Sequence, residues 1–351
     1  MKPRAKLVLV AVCGSILGAC SSSDDTSNGG GGGGGQSTQT TTDTTSNTGT
    51  TSNTGTTSTT STTTVPPGND PCSGNPYTAT TPSSGQGSEP GGASADQHQA
   101  RLAVDALRNL LGLNPINFNG ALNQASQAHS DYCSAYPNSC PGWHQETDGN
   151  PGFTGVNFWD RDSAAGYGGS PRFEVMAPGV GPDGSIQMWV ETVYHRTPFV
   201  TPDMAETGYG HASSYDTMDF GNSGPSDAAL VTNYPVHGQT GVPSQWAGNE
   251  GPTPPAPPSG FPSGPVISVI FPTSSGLSIT AHELFDSGCN ALPHVAGGAD
   301  LPDVGFDAGF MGTTIVLYSN APLAAGAQYT VNVEYTLGGS PGSRTFQFTT
   351  Q

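Results

Sequence analysis

A glutamate and a histidine that could work together lie four residues apart, at Glu191 and His195. Apolar residues recur at helical spacing around them, so we predict a helix over residues 184–196 with Ile186, Trp189, Val190 and Val193 facing inward. Residues four apart on a helix share a face, and a carboxylate beside an imidazole raises its pKa and fixes its tautomer. The same pair also occurs on solvated helix faces, where it adds about 0.3 kcal/mol. Both interpretations stay open at this point.

Two other catalytic motifs lie in an unsuitable context. Residues 338–342 read Gly-Gly-Ser-Pro-Gly and match G-x-S-x-G, but they fall in a turn between predicted strands, whereas a nucleophile elbow needs a strand-to-helix turn. His282-Glu283 begins like a zinc-protease helix but lacks the second histidine and lies among strands. The sequence also contains no Walker motif and no dinucleotide-binding glycine motif.

The elements that would position these side chains fall into two groups. Helices are predicted over 97–111, with Leu102, Ala106 and Leu110 on one face, and over 120–135, with Leu122, Ala125, Ala128 and Tyr132 in one stripe. Short strands are predicted at 207–211 and 229–234. His129 lies on the second helix among alanines, where we interpret it as a buried, hydrogen-bonded structural residue.

The C-terminal part has a different pattern. Prolines crowd residues 252–258, so we predict an extended linker over 241–264. Beyond it, Tyr329, Val331, Val333 and Tyr335 alternate with polar residues, which is typical of a strand. Short strands separated by Gly/Pro turns predict an all-β sandwich over 265–351. The stretch 322–331 and the final strand at 346–350 resemble bacterial immunoglobulin-like (Ig-like) domains of exported proteins.

Three stretches in the middle of the chain follow one another in a recognisable order. They are Asp105-x-x-Arg108-x-x-x-Gly112-Leu113-x-Pro115, then Ala121-Leu122 with Ala128-His129-Ser130-Asp131-Tyr132, then Trp189 and His195-Arg196 with Glu206-Thr207-Gly208-Tyr209-Gly210. Residues 95–240 thereby resemble the CAP superfamily (cysteine-rich secretory, antigen 5 and pathogenesis-related-1 proteins) in its bacterial form. The resemblance implies an α-β-α sandwich.

The resemblance also implies a cleft lined by two histidines and one or two acids. His195 matches the histidine of the family's H-R motif, and His144 matches the histidine that follows the second helix. Glu174 falls where the family has G-E-N-I-A, although Phe173 and Val175 depart from that pattern. Glu191 is one position away from the family's second acid. Two imidazoles and a carboxylate are also a competent set for zinc or another divalent metal, so His144 and His195 are candidate metal ligands.

The start of the chain carries an export signal. Lys2, Arg4 and Lys6 precede a short apolar run that ends in Leu17-Gly18-Ala19-Cys20, which resembles the signal of bacterial lipoproteins. The resemblance implies cleavage after residue 19 and acyl chains on Cys20. Ser21 favours the outer membrane or cell surface over the inner membrane. Residues 20–94 are rich in Gly, Ser and Thr, so we predict a disordered tether.

Charge and cysteine usage limit the function further. Without residues 1–19 the chain has six arginines against 27 acids, a formal charge of −21, which disfavours nucleic-acid binding. Four cysteines remain for an oxidising compartment. Cys133 and Cys140 close a short loop and are predicted to pair, and Cys72 with Cys289 is one further pairing, although four cysteines allow three connectivities.

We therefore expect an α+β envelope lipoprotein in five parts: a signal peptide (1–19), the tether (20–94), a CAP domain (95–240), a linker (241–264) and an Ig-like sandwich (265–351). Its leading function is binding of a lipid, glycan or protein partner in the His/Glu cleft, with or without a metal. The alternatives are hydrolysis, in which His144 and His195 activate a water directly or through a metal with Glu174 or Glu191 as base, and a purely structural or adhesive role. No nucleophile accompanies the histidines, which favours binding over hydrolysis.

Overall fold

The computed structural model describes residues 68–225, 230–301 and 305–351; the predicted signal peptide, Cys20 and the tether up to residue 67 lie outside this part. Its helices are α1 (Ala95–Leu110), α2 (Gly120–Ala135), α3 (Phe158–Ala164), α4 (Pro182–Val190), α5 (Thr197–Val200) and α6 (Ala308–Met311). Its strands are β1 (Asn117–Phe118), β2 (Pro171–Pro178), β3 (Met204–Ala212), β4 (Tyr215–Ser223), β5 (Thr232–Tyr234), β6 (Gln239–Val242), β7 (Ile267–Ile270), β8 (Leu277–Asp286), β9 (His294–Gly298), β10 (Thr314–Ser319), β11 (Gln328–Leu337) and β12 (Ser340–Thr350).

The first module is a four-stranded sheet, in the order β1-β3-β4-β2, with helices on both faces. Side chains alternate along β2: Val175 and Ala177 pack into the core formed with α1, α4 and α5, whereas Met176 packs beside Tyr132 of α2 on the other face. Trp189 of α4 is almost completely buried, and its indole Nε1 donates to the carbonyl of Met176 at 2.9 Å. The module is therefore an α-β-α sandwich.

The buried face of α1 differs from the one expected from its apolar residues. Ala100, Val104 and Leu107 are buried, whereas Leu102 is exposed. The buried face also contains charged residues, and each of them forms hydrogen bonds inside the protein. Arg108 is fully buried and donates to the carbonyls of Asn114 (2.7 Å), Phe199 (3.0 Å), Thr201 (2.7 Å) and Pro202 (3.2 Å). The conspicuous D-x-x-R pattern is thus structural here.

Helix α4 ends at Val190, six residues before the predicted end at Arg196. In a continuous helix the N–H groups of residues 193–195 would donate to carbonyls four residues earlier. Here they donate to the carboxylate of Glu250, at 2.7–2.8 Å. The chain leaves the helix because a side chain from outside the module binds those donors, and Glu191 and His195 therefore do not share a helical face.

The second module consists of two four-stranded sheets, in the orders β5-β7-β10-β9 and β6-β12-β11-β8. Side chains from both sheets meet in one apolar core that includes Ile267, Ile315, Val331 and Phe346. Strands β11 and β12 pair from Gln328↔Thr349 to Leu337↔Ser340 around the turn Gly338-Gly339, whose positive φ angles of 59° and 81° suit glycine. Ser340 begins β12, so the G-x-S-x-G match lies in a strand-to-strand turn and not in the strand-to-helix turn of a nucleophile elbow.

The boundary between the two modules lies earlier in the chain than the sequence predicts. Strands β5 and β6, placed in or next to the first module from the sequence, belong to the two sheets of the second module. The predicted linker at 241–264 is also packed: Trp246 is buried against Phe261 and Tyr318, with ring centroids 5.2 and 5.6 Å apart. Proline removes backbone donors, but these aromatic contacts still hold the segment in place.

Residues 68–94, expected to be the end of the tether, run along both modules. The N–H of Thr78 donates to Thr345 of β12 at 2.7 Å, and the N–H of Gly87 donates to Asp105 of α1 at 2.9 Å. Cys72 is bonded to Cys289, and Cys133 is bonded to Cys140. Backbone hydrogen bonds and a disulfide therefore hold residues 68–94 in place despite their low apolar content.

Candidate functional site

His144 and Glu174, thirty residues apart, meet beneath the surface of the first module. Because Val175 and Ala177 of β2 face the α1/α4 core, Glu174 projects towards the α2 face. Its side chain is 1% exposed, and its Oε1 lies 2.9 Å from Nδ1 of His144, whose side chain is 22% exposed. The pair thus joins a buried carboxylate to an imidazole that reaches solvent.

Arg161 of α3 completes the arrangement. Its guanidinium is fully buried, binds the second oxygen of Glu174, and donates to the backbone carbonyl of His144 at 3.3 Å. Burial alone opposes ionisation of Glu174, but the Arg161 guanidinium, with His129 and His144, holds the pKa of Glu174 below its usual range. Glu174 is therefore an ionised acceptor. The Nδ1–H of His144 donates to it, and the lone pair of a neutral imidazole is on Nε2.

The loop that carries His144 is tied down at several points. The Cys133–Cys140 disulfide closes its beginning, and Nε2 of His129 lies 2.7 Å from the carbonyl of Trp143. Glu146 lies 2.9 Å from Nδ1 of His129 and accepts from the N–H of Thr154 at 2.9 Å. His129 is fully buried with both ring nitrogens engaged, which matches its predicted structural role.

Trp143, next to His144, is the exposed aromatic residue of the site. It has a left-handed backbone (φ 66°), which a non-glycine residue adopts only when its surroundings impose it. Its side chain is 39% exposed and packs edge-on against Tyr215, with ring centroids 5.4 Å apart. A rigid loop therefore presents a flat aromatic surface beside a partly exposed imidazole.

Two further acids are buried near this pair. Burial, with the charge of Glu174, raises the pKa of Asp162 to about 7, although Arg161 acts in the opposite direction. Burial also raises the pKa of Asp219, and the charges of Asp162 and Glu174 add to that effect. The site thus combines one ionised carboxylate with two acids whose pKa values are raised by burial.

His195 and Glu191 lie in different surroundings. The Nδ1 of His195 is 2.8 Å from Glu250, whose carboxylate is fully buried. Glu191 instead accepts from the side-chain amide of Gln187 at 3.0 Å, on the surface. Next to His195, Val193 and Tyr194 pack with Trp246, Val266 and Tyr318 of the second module. The turn that carries the H-R motif therefore forms an interface between the modules.

The two predicted metal ligands, His144 and His195, each have a carboxylate on Nδ1, a contact that orients an imidazole without occupying its Nε2. His144 and His195 are bound to different carboxylates, Glu174 and Glu250. Over residues 68–225, 230–301 and 305–351, the only three potential ligand atoms within 4.8 Å of one another belong to His129, Cys133 and Cys140. The two sulfurs are joined in a disulfide, so they are not thiolate ligands.

Several residues that define the site carried no signal in the sequence. Arg161 is one of six arginines beyond residue 19, and nothing in its local pattern connects it to Glu174. Glu250 lies in the proline-rich stretch, 55 residues from His195. In the sequence, Trp143 stands out only because it directly precedes His144. These residues become recognisable once the sheet places the elements side by side.

Comparison with known proteins agrees with this architecture. Residues 102–231 match the model of the cysteine-rich secretory protein family, CAP. This part of the chain is therefore a CAP domain.

Among solved structures, the chain is similar to an extracellular protein containing an SCP domain from Bacillus anthracis, at 17% identity and a TM-score of 0.32 over 36% of this chain. The chain spans 40% of that protein's length. It is also similar to an outer surface protein from Borrelia burgdorferi, at 14% identity and a TM-score of 0.27, covering 36% of this chain and 90% of the other. No curated protein shows significant similarity to the chain. In the part of the chain that the structure describes, no helix is long and apolar enough to cross a membrane.

Proposed function

We propose that this chain is an exported lipoprotein, anchored by acyl chains on Cys20, whose CAP domain binds a glycan of the cell envelope. The signal at residues 1–19 supports export. Cys72, Cys133, Cys140 and Cys289 are all disulfide-bonded, as is typical of oxidising compartments. The outer membrane or cell surface is the proposed location, and the similarity of residues 322–331 and 346–350 to Ig-like domains supports an exported, Ig-like second module.

The observation that carries the binding function is the pairing of exposed Trp143 with His144 and its buried carboxylate. A flat aromatic ring packs well against the apolar face of a sugar. Beside it, the Nε2 lone pair of His144 can accept a hydrogen bond from a sugar hydroxyl, while Glu174 and Arg161 fix the orientation of the imidazole. Because these groups are preorganised, little conformational entropy is lost on binding.

Of the ligand classes considered, this site favours a glycan over a lipid or a protein. The exposed indole of Trp143, packed edge-on against Tyr215, offers a flat aromatic face next to His144, which suits a sugar ring better than a flexible acyl chain. The glycan proposal requires no metal ion, because Nε2 of His144 itself accepts the hydrogen bond while its Nδ1 is paired with Glu174.

Hydrolysis is the second candidate. A carboxylate-oriented imidazole is the arrangement of a general base, which is the observation in its favour. Against it, none of the hydrogen bonds found among the described residues joins a hydroxyl or thiol nucleophile to His144. Ester, peptide and glycoside panels with H144Q as the reference would decide, and turnover above that reference would make hydrolysis the function. A purely structural or adhesive role is the third hypothesis. It predicts that His144 and Trp143 neither bind a glycan nor support turnover.

Binding is tested by presenting purified protein to an array of bacterial envelope polysaccharides. W143A and H144Q should each lose binding, about tenfold or more, because one removes the stacking surface and the other removes the oriented imidazole. H98Q is the control for loss of a histidine–carboxylate pair, since His98 pairs with Glu89 at 2.9 Å on the surface. Equal binding by wild type, W143A and H144Q would refute the site. Lipid or protein capture that depends on the same residues would replace the glycan as its ligand.

The anchor is tested separately. Wild-type protein expressed with its signal should incorporate labelled fatty acid and partition into detergent, whereas C20S should do neither. Labelling of C20S equal to that of wild type would refute lipidation at this residue.

A further inference from the structure

Two histidines of the second module lie at the open edge between its sheets. His282 is on β8 and His294 is on β9, the terminal strands of the two sheets. Leu284, two residues from His282, and Ala296, two residues from His294, both pack into the core between the sheets. Since alternate residues of a strand share a face, both histidines point into the gap between the sheets.

The two rings are within bonding distance of one another. The Nδ1 of His282 lies 2.9 Å from Nε2 of His294, and the rings are nearly perpendicular at 76°. The Nδ1–H of His294 donates to the carbonyl of Leu292 at 2.9 Å. In neutral His294 the Nε2 atom therefore carries the lone pair, and this nitrogen faces His282.

The loop between the two strands holds them in this relation. Cys289 in the loop is bonded to Cys72, which lies in the segment that runs along both modules. Asp286, at the end of β8, accepts from the N–H groups of Gly288 and Asn290, both at 2.9 Å. The disulfide and these hydrogen bonds restrain the loop, and so keep the two strands that carry the imidazoles close together.

We propose that His282 and His294 form a binding site for a divalent transition-metal ion, with Cu²⁺ favoured over Zn²⁺. Imidazole nitrogens bind such ions at about 2.0–2.1 Å. Two bonds of this length to nitrogens 2.9 Å apart enclose an angle of about 90°. That angle suits the tetragonal geometry of Cu²⁺, whereas tetrahedral Zn²⁺ needs the nitrogens about 0.4 Å further apart.

Binding requires a small rearrangement. The proton on Nδ1 of His282 moves to its Nε2, and each ring turns so that the lone pairs converge on the ion rather than on each other. The carbonyl of Leu292 continues to orient His294, as carbonyl partners do for metal-bound histidines. Both histidines are partly exposed, so water completes the coordination.

The charge state of the pair also suits a metal. Burial lowers the pKa of His282, and the neighbouring His294 lowers it further, while Glu283 acts in the opposite direction. A neutral imidazole is the form that binds metals, so the lowered pKa of His282 reduces the deprotonation that binding requires at this residue.

The test is a calorimetric titration of the full chain with CuCl₂ and then ZnCl₂. We expect one Cu²⁺ per chain with an affinity above that for Zn²⁺, and no response to Mg²⁺. H282N and H294N should each weaken Cu²⁺ binding by about tenfold or more, whereas H144N and H98N, which remove histidines elsewhere, should leave it unchanged. Unchanged affinity in H282N or H294N would overturn the proposal, and loss only in H144N would move the site to the CAP domain.

A second measurement uses only the wild type, so its result does not depend on whether the variants fold. The electron paramagnetic resonance spectrum of the Cu²⁺-loaded full chain should show tetragonal copper with hyperfine coupling to two imidazole nitrogens. A spectrum with one nitrogen, or without nitrogen coupling, would exclude the pair as the binding site.

Discussion

The buried carboxyl of Asp162 makes the stability of this protein depend on pH in an unusual direction. Burial first, and the charge of Glu174 second, raise its pKa from 3.8 to about 7 in the folded chain. Between these values the folded chain holds a proton that the unfolded chain has released. The stabilisation from Asp162 is therefore fully present below about pH 4 and is lost as the pH rises to about 7, at a slope of at most about 1.4 kcal/mol per pH unit.

We expect D162N to flatten this slope between pH 5 and 7, because asparagine does not titrate. The lowered pKa of Glu174 acts in a separate window, since its stabilisation is lost as the pH falls below 4.5. Urea denaturation midpoints at pH 5, 6 and 7 measure the slope, and D131N, at an exposed position on α2, is the control. A slope in D162N as steep as in wild type would contradict the prediction.

Glu250 and Glu191 are a matched pair for a second test at the residue scale. Glu250 is buried and accepts from three backbone N–H groups and from His195. E250Q removes the negative charge and places an N–H₂ group against at least one of these donors, so we expect a loss of about 3 kcal/mol of unfolding free energy. E191Q should change the unfolding free energy by less than about 0.5 kcal/mol, because Glu191 only accepts a hydrogen bond from Gln187 at the surface.

Equal stabilities of E250Q and E191Q in chemical denaturation would show that Glu250 does not hold the turn. This comparison also marks the limit of sequence reasoning for single residues. Helical spacing assigned Glu191 as the partner of His195, but a carboxylate 55 residues away ends the helix before that spacing applies. By contrast, His144 and Glu174 were both found from motif positions, and the structure brings them together.

Strand β3 packs against α2 at two glycines, Gly208 and Gly210. A Cβ atom on Gly208 would lie 2.1 Å from the carbonyl carbon of Leu122, and one on Gly210 would lie 2.2 Å from the nitrogen of Gln127. Both contacts are with backbone, which cannot rotate away. The glycines of the Glu206–Gly210 motif are therefore required by the close approach of helix and sheet.

We expect G210A to lower the unfolding free energy by about 1–3 kcal/mol, because helix and sheet must separate to admit the methyl group. G168A is the control: a Cβ on this exposed glycine meets no atom within 4 Å. Thermal denaturation of both variants measures the difference. A G210A protein as stable as G168A would contradict the close packing.

Elements were predicted well where one local signal determined them. The bounds of α2 agree with the prediction, and the alternation at residues 329–335 lies in β11. Prediction failed where distant partners decided the outcome. The buried face of α1 contains Arg108, whose charge is tolerated only because four carbonyls surround it. Helical periodicity alone counts such a residue as exposed.

At the scale of the molecule, the two modules share more than a covalent connection. Arg196 of the H-R motif is buried and donates to Val266 at 2.9 Å and to Ser268 at 2.8 Å, both in the second module. The guanidinium also stacks 4.7 Å from the ring of Tyr234. The sequence predicted two domains and a free linker, because composition does not reveal that a linker is packed. These contacts predict that both modules unfold in one transition.

The Cys72–Cys289 disulfide tests this cooperativity. It closes a loop with a sequence separation of 217, against 7 for Cys133–Cys140. In the chain-entropy description, a bond that closes the longer loop contributes up to about 5 kcal/mol, and the shorter one about 2 kcal/mol. The larger contribution requires that the whole enclosed chain unfolds together. The bond lowers the conformational entropy of the unfolded loop only when all of that loop is unfolded.

We therefore expect C72S/C289S to lower the melting temperature more than C133S/C140S, with a single calorimetric transition in the wild type. The shorter-loop variant is the control for loss of a disulfide as such. Two separate transitions in the wild type would show that the modules unfold independently, despite Glu250 and Arg196. Equal losses in the two variants would show that the longer bond constrains only the local contact between residues 68–94 and the loop that carries Cys289.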